Sequence, residues 1–75
     1  MRNVTYTIIT YYGRSDLVVG WKWEIKTDSA LITSRRKIQT KNDCFISLNH
    51  HFQKFFGANV NRGKVKNREV KLYDV

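Results

Sequence analysis

Arg35, Arg36 and Lys37 stand in a row, and Lys41 follows four positions later, where a strand pattern ends and a helix pattern begins. Cations beside the free amides of a helix N-terminus suit an oxyanion such as a phosphate. Against this, Lys41 would lie at the positive end of the helix, and a solvated basic edge is the commoner origin of such a run. A second series, Arg62, Lys64, Lys66, Arg68 and Lys71, recurs mostly at every second residue. An extended chain would project several of these to one side, able to track a phosphodiester backbone. If the segment is unstructured, the same charges only repel one another.

Other reactive residue types point away from chemistry. Trp21 and Trp23, with Tyr6, Tyr11 or Tyr12 on a neighbouring strand, could form a platform for stacking bases. A chain this small needs those rings inside, and packing is the stronger claim on them. His50 and His51 are adjacent, about 100° apart on a helix, so they cannot face one metal together. Cys44 lies beside an apolar stripe with no paired base and reads as a buried structural thiol. The acids Asp16, Glu24, Asp28, Asp43, Glu69 and Asp74 form no recognisable pair, and the four glycines are scattered instead of forming a phosphate loop. We expect a binding protein and not an enzyme, with no cofactor and no metal.

What must position the basic residues is a chain of 75 residues, below the size at which domains divide. Aromatic residues make up 13% of it, and each buried ring removes roughly 150–250 Å² from water, which lets so short a chain hold a core. A single cysteine excludes an internal disulfide and favours a reducing compartment. No apolar run approaches the ~20 residues of a membrane span, and the start lacks the pattern of a signal peptide, so a cytoplasmic location away from membranes is expected. Fourteen Lys and Arg against six Asp and Glu give a formal charge of +8 and a pI near 10.0. Such a field favours polyanions or acidic protein surfaces.

Val4 to Tyr12, rich in Thr, Ile and Tyr, reads as a first strand, and Gly13-Arg14-Ser15-Asp16 as a turn. From Leu17 to Lys26 the alternation is clean: Val19, Trp21, Trp23 and Ile25 share one face, Gly20, Lys22, Glu24 and Lys26 the other, wet one. Thr27-Asp28-Ser29 has turn chemistry, and Ala30 to Ile38 reads as a third strand with its Ile32 face inward. Thr40-Lys41-Asn42-Asp43 resembles a capping box. Behind it Cys44, Phe45, Leu48, Phe52, Phe55 and Phe56 recur at three and four, which predicts an amphipathic helix over about 41–56 that stops at Gly57. The expected fold is α+β: a three-stranded antiparallel β-meander packed on one amphipathic α-helix (βββα), occupying 1–57. Residues 58–75 read as a basic C-terminal arm, with a short edge strand at 69–73.

The stretch Trp21-Lys22-Trp23-Glu24-Ile25-Lys26, then Leu31-Ile32-Thr33-Ser34 and the helix opening Thr40-Lys41-Asn42-Asp43-Cys44 resembles the YegP-like family of small domains. The resemblance covers roughly 17–56. It implies ββα or βββα units, repeated in tandem or paired as dimers, so a chain with one copy would be expected to form a homodimer; it implies no biochemical role. Two departures stand out: Asp28-Ser29 replaces the glycine usual in the family's turn, and Ile38, after Arg35-Arg36-Lys37, replaces its Tyr or Phe.

The first expectation for function is nucleic-acid binding, DNA or RNA, through phosphates and with little sequence selectivity. Its contacts would be Arg35, Arg36, Lys37, Lys41, Arg62, Lys64, Lys66 and Arg68. The alternative is a protein-interaction module or inhibitor, of a kind a phage could encode, docking on an acidic partner through the same residues or through an exposed sheet edge.

Overall fold

The computed structural model describes residues 3–72. Strand β1 (Thr5–Tyr12) is followed by a 3-10 turn at Arg14–Asp16, β2 (Val18–Lys26), β3 (Leu31–Thr33), helix α1 (Lys41–Phe56), a second 3-10 turn at Arg62–Lys64, and β4 (Lys66–Lys71). The sheet order is β3-β2-β1-β4. β1, β2 and β3 pair antiparallel, as the meander requires, but β4 lies parallel to β1. The fold is therefore α+β with a four-stranded mixed sheet, not a three-stranded antiparallel one. The cause is the helix. It must lay its apolar stripe across the sheet, so the chain leaves at the β3 edge, crosses one face and re-enters at the free edge of β1, running the same way as β3. Parallel strands require a crossover of this kind.

Alternation in the strands and the four-residue spacing in the helix meet in one core. Tyr6 and Ile8 of β1, Trp23 and Ile25 of β2, Cys44, Leu48 and Phe52 of α1, and Val60 are buried together. The Tyr6 and Phe52 rings meet edge to face at 5.5 Å, an arrangement aromatic quadrupoles favour. The helix begins where its cap dictates: Thr40 Oγ1 accepts the Asp43 N–H at 3.0 Å. It ends at Gly57, which turns left-handed at φ 68° and donates its N–H to the Gln53 carbonyl. Phe45 and Phe56 are half-buried against the core, but Phe55, expected in the buried stripe, is 60% exposed.

Phe55 stands on the flanking helix row Ser47, His51 and Phe55 at the β3 edge, outside the buried stripe of Cys44, Leu48 and Phe52. The third strand there is three residues long, where the sequence pattern suggests Ala30 to Ile38. Ser34 ends the ladder by substituting its side chain for its carbonyl. Its N–H donates to the Trp23 carbonyl at 3.0 Å, while its buried Oγ accepts the Trp23 N–H at 3.2 Å. Pairing resumes only at Ile38, which exchanges both backbone bonds with Trp21, at 2.7 and 2.9 Å. From Trp23 to Trp21 is two residues and from Ser34 to Ile38 is four, so the edge chain carries two residues more than its partner and must bulge. Arg35, Arg36 and Lys37 form that bulge.

The stretch after Gly57 is tied down by distant side chains. The Val60 N–H donates to Asn49 Oδ1 at 2.8 Å and the Asn61 N–H to Tyr6 Oη at 3.0 Å. The strand expected at 69–73 is found instead at Lys66–Lys71, and Tyr73 lies outside the described residues. No helix among the described residues is long and apolar enough to cross a membrane.

Candidate functional site

Because α1 covers one face of the sheet, the register decides what the other face displays. Tyr6, Ile8, Trp23 and Ile25 point to the helix, so their alternates point away. Cross-strand pairs then set out the uncovered face: Thr5 opposite Lys26, Thr7 between Glu24 and Lys66, Ile9 between Lys22 and Arg68, Tyr11 between Gly20 and Val70. Ile9 is only 3% exposed although it faces away from the helix. The long side chains beside it account for this: Arg68 and Glu24, from the strands on either side of β1, meet at 3.5 Å, and apolar stems of this length cover surface while their charged heads stay wet.

Tyr11 is the centre of a second arrangement on this face. The Lys37 ammonium lies 5.4 Å from its ring centroid and that of Lys22 5.9 Å, within reach of the ring quadrupole. Lys37 comes from the edge bulge and reaches the face because Gly20 has no side chain. A Cβ at Gly20 would stand 2.8 Å from the Lys37 Cβ, closer than two such atoms can approach. The face thus holds Lys22, Lys26, Lys37, Lys66 and Arg68, with Glu24 its one carboxylate among the described residues. Five positive charges less one leave a net of four.

The eight basic residues expected from sequence fall into separate groups. Lys37, Lys66 and Arg68 belong to the uncovered face. Arg35 and Arg36 are exposed on the rim of a groove between the β3 edge and α1. Lys41 and Arg62, remote in sequence, line one hollow together with Phe45, over whose ring the Arg62 guanidinium sits at 4.0 Å. Lys64 is exposed in the second 3-10 turn. Lys22 and Lys26 are not among the residues expected to bind from sequence, and Tyr11 enters there only beside the tryptophans, on a stacking platform that packing outweighs. The signal for the two lysines was present in the wet-face alternation of β2, but local pattern could not reveal that this face stays uncovered and gains Lys66, Arg68 and Lys37 from distant segments.

Several other reactive side chains are held in the core or in local contacts. Trp23 is 2% exposed and its Nε1–H donates to Ser47 Oγ at 2.9 Å, which puts it in the core and not on a stacking platform. His51 packs on Trp23 at 4.8 Å between ring centroids. The Cys44 thiol is fully buried, and loss of solvation pushes it up to about 11, far from the thiolate a nucleophile needs. The Tyr12 phenol is raised above its usual value by desolvation and by the Glu69 carboxylate, which accepts its hydrogen bond at 3.3 Å.

No protein-family model matches the chain, and neither a curated protein nor a solved structure is detectably similar to it. Function must therefore be argued from the chemistry of the surface.

Proposed function

We propose that this protein binds nucleic acid through the helix-free face of its sheet, contacting phosphates with little sequence selectivity. The observation that carries the reading is the gathering of Lys22, Lys26, Lys37, Lys66 and Arg68 around Tyr11 on the face α1 leaves open. Each cation set against a phosphate releases a condensed counterion, and this term is indifferent to base sequence. The Arg68–Glu24 pair is exposed on its arginine side and spans 3.5 Å. Pairs of this kind contribute ~0–1 kcal/mol, so Arg68 can exchange its carboxylate for a phosphate at little cost. Arg35 and Arg36 at one edge and Lys41 and Arg62 at the other add to the long-range field that steers a polyanion in. The resemblance of 17–56 to YegP-like domains, which no family model matches, would bear on the order of strands and helix alone and adds no partner chemistry.

The test is chemical-shift mapping of the 15N-labelled protein with a labelled dT oligonucleotide and with duplex DNA. The reading expects the largest shifts at the amides of Tyr11, Lys22, Lys26, Lys66 and Arg68. Shifts confined to the exposed side of α1, at Asn42, His50 and Lys54, would contradict it.

A further inference from the structure

The groove at the β3 edge is not part of that face, and its construction is different. One wall is the edge chain, with Ile32 and Ile38 turned inward and Arg35 and Arg36 on the rim. The other is a row of helix residues four apart, Ser47, His51 and Phe55, and Trp23 forms the floor. This hollow holds about 490 Å³. A second, of about 420 Å³, lies further along the same edge between the 27–30 turn and Phe56. The two share Ile32 and Phe55, so they are neighbours along β3.

The backbone beside these hollows is an unpaired strand edge. Ala30 closes the hairpin by accepting the Thr27 N–H at 2.9 Å, and Ser34 bonds back to Trp23. Antiparallel alternation therefore turns Ile32 towards β2 and sends the N–H and C=O of Leu31 and Thr33 outward. A strand added at this edge would place alternate side chains ~7 Å apart, one over each hollow. A strand edge, a flanking helix row and two hollows, the first mainly apolar and the second floored by Ile32, Phe55 and Phe56 but bordered by the polar 27–29 turn, are the parts that peptide recognition by strand addition requires. Phe55, 60% exposed, and Leu31, 59% exposed, are large apolar groups flanking that edge, and such a partner would cover them.

We infer that the groove between β3 and α1 binds an extended peptide segment of a partner protein, with apolar residues two positions apart and carboxylates at the end that meets Arg35 and Arg36. Charge fixes the occupant. The first hollow has two guanidiniums on its rim and no carboxylate in its lining, whereas the second is bordered by Asp28. An acidic residue is thus favoured at one end only, which sets the direction of the peptide. A second copy of this chain brings its own +8 and is repelled. This site is independent of the nucleic-acid face, and either can fail without the other.

A random decapeptide phage library panned on the full chain tests the inference. Selected peptides are then titrated into the wild type, into the exposed double variant Arg35→Glu/Arg36→Glu, and into Thr33→Pro, which removes an outward N–H. The expected result is enrichment of peptides that alternate apolar residues next to Asp or Glu, that shift the Leu31 and Thr33 amides, and whose affinity falls at least about tenfold in the double variant, where two reversed charges set like charge against the peptide's carboxylates. Failure of Thr33→Pro to fold would leave the double variant, whose substitutions are exposed, to decide. No enrichment, basic peptides, or peptides that bind the double variant as tightly as the wild type would overturn the inference. So would a dT oligonucleotide that moves the same two amides, which would give the groove to nucleic acid, or a dimer in sedimentation whose edge is β3.

Discussion

Replacing Ser34 with Ala tests the most unusual joint of the fold. Ser34 is 8% exposed and Trp23 2%, and the Ser34 hydroxyl accepts the Trp23 backbone N–H that a regular ladder would give to a carbonyl. Alanine fits the space but leaves that N–H buried without an acceptor. An unmade buried hydrogen bond costs ~1–3 kcal/mol, and we take about 2. For a chain of this length each kcal/mol moves Tm by ~4–8 °C, so the melting midpoint should fall by roughly 8–16 °C. A domain of this size has total stability of about 4–11 kcal/mol, so the variant should remain folded at 25 °C and be measurable. Circular-dichroism melting gives the midpoint, and hydrogen exchange at the Trp23 amide localises the effect. The Lys37 contact with Tyr11 should also loosen, because Ser34 anchors the bulge. A midpoint within about 2 °C of wild type, with Trp23 protection unchanged, would refute the claim that the side chain replaces the ladder bond.

Gly57→Ala tests backbone conformation alone: φ is 68° and nothing lies within 4 Å of the added Cβ. It should cost ~1 kcal/mol, read as a fall in urea midpoint, with Gly57→Asn milder. Gly20→Ala forces a Cβ to 2.8 Å from that of Lys37. We expect ~1–3 kcal/mol of destabilisation together with altered Tyr11 ring shifts as Lys37 moves off the ring. Cys44 should resist alkylation in the native protein at pH 8. Its thiol is pushed up from 9.0 to about 11, so the folded state keeps a proton the unfolded chain releases. That contribution is intact below pH 9 and lost as pH rises from about 9 to 11, which urea midpoints at pH 8 and pH 10 would register as a decline.

Much of the scaffold could be read locally. The β2 alternation from Trp21 to Ile25, the Thr40 cap and the Gly57 stop are all set by neighbours in sequence, and the structure has them where those signals put them; at the start of β2 the pattern fails, with Val19 exposed and Gly20 buried against Lys37. The sequence suggests too long a third strand because Ser34 looks acceptable in a strand, and only its contact with Trp23, eleven residues away, reveals the break. The sequence starts the fourth strand three residues late, at 69 and not at Lys66, because polar, basic composition resembles a loop. What orders that stretch is Val60 in the core and the hydrogen bonds that the Val60 and Asn61 amides donate to Asn49 and Tyr6, the latter 55 residues distant from its partner. The candidate face suffered in the same way. Lys66 and Arg68 were singled out from their two-residue period. Their meeting with Lys22, Lys26 and Lys37 depends on a parallel pairing and a glycine contact that no local window contains.

The salt dependence of binding to a labelled dT oligonucleotide, followed by anisotropy, tests the nucleic-acid reading most directly. With five cations on the open face and a single-strand slope of ~0.7 per phosphate contact, log affinity should fall with log salt at about −3.5. The variant Lys22→Gln/Lys26→Gln/Lys66→Gln/Arg68→Gln keeps one of the five cations and should flatten the slope to about −0.7. Absence of binding at low salt, or a variant that binds with the wild-type slope, would contradict the assignment of this face to nucleic acid.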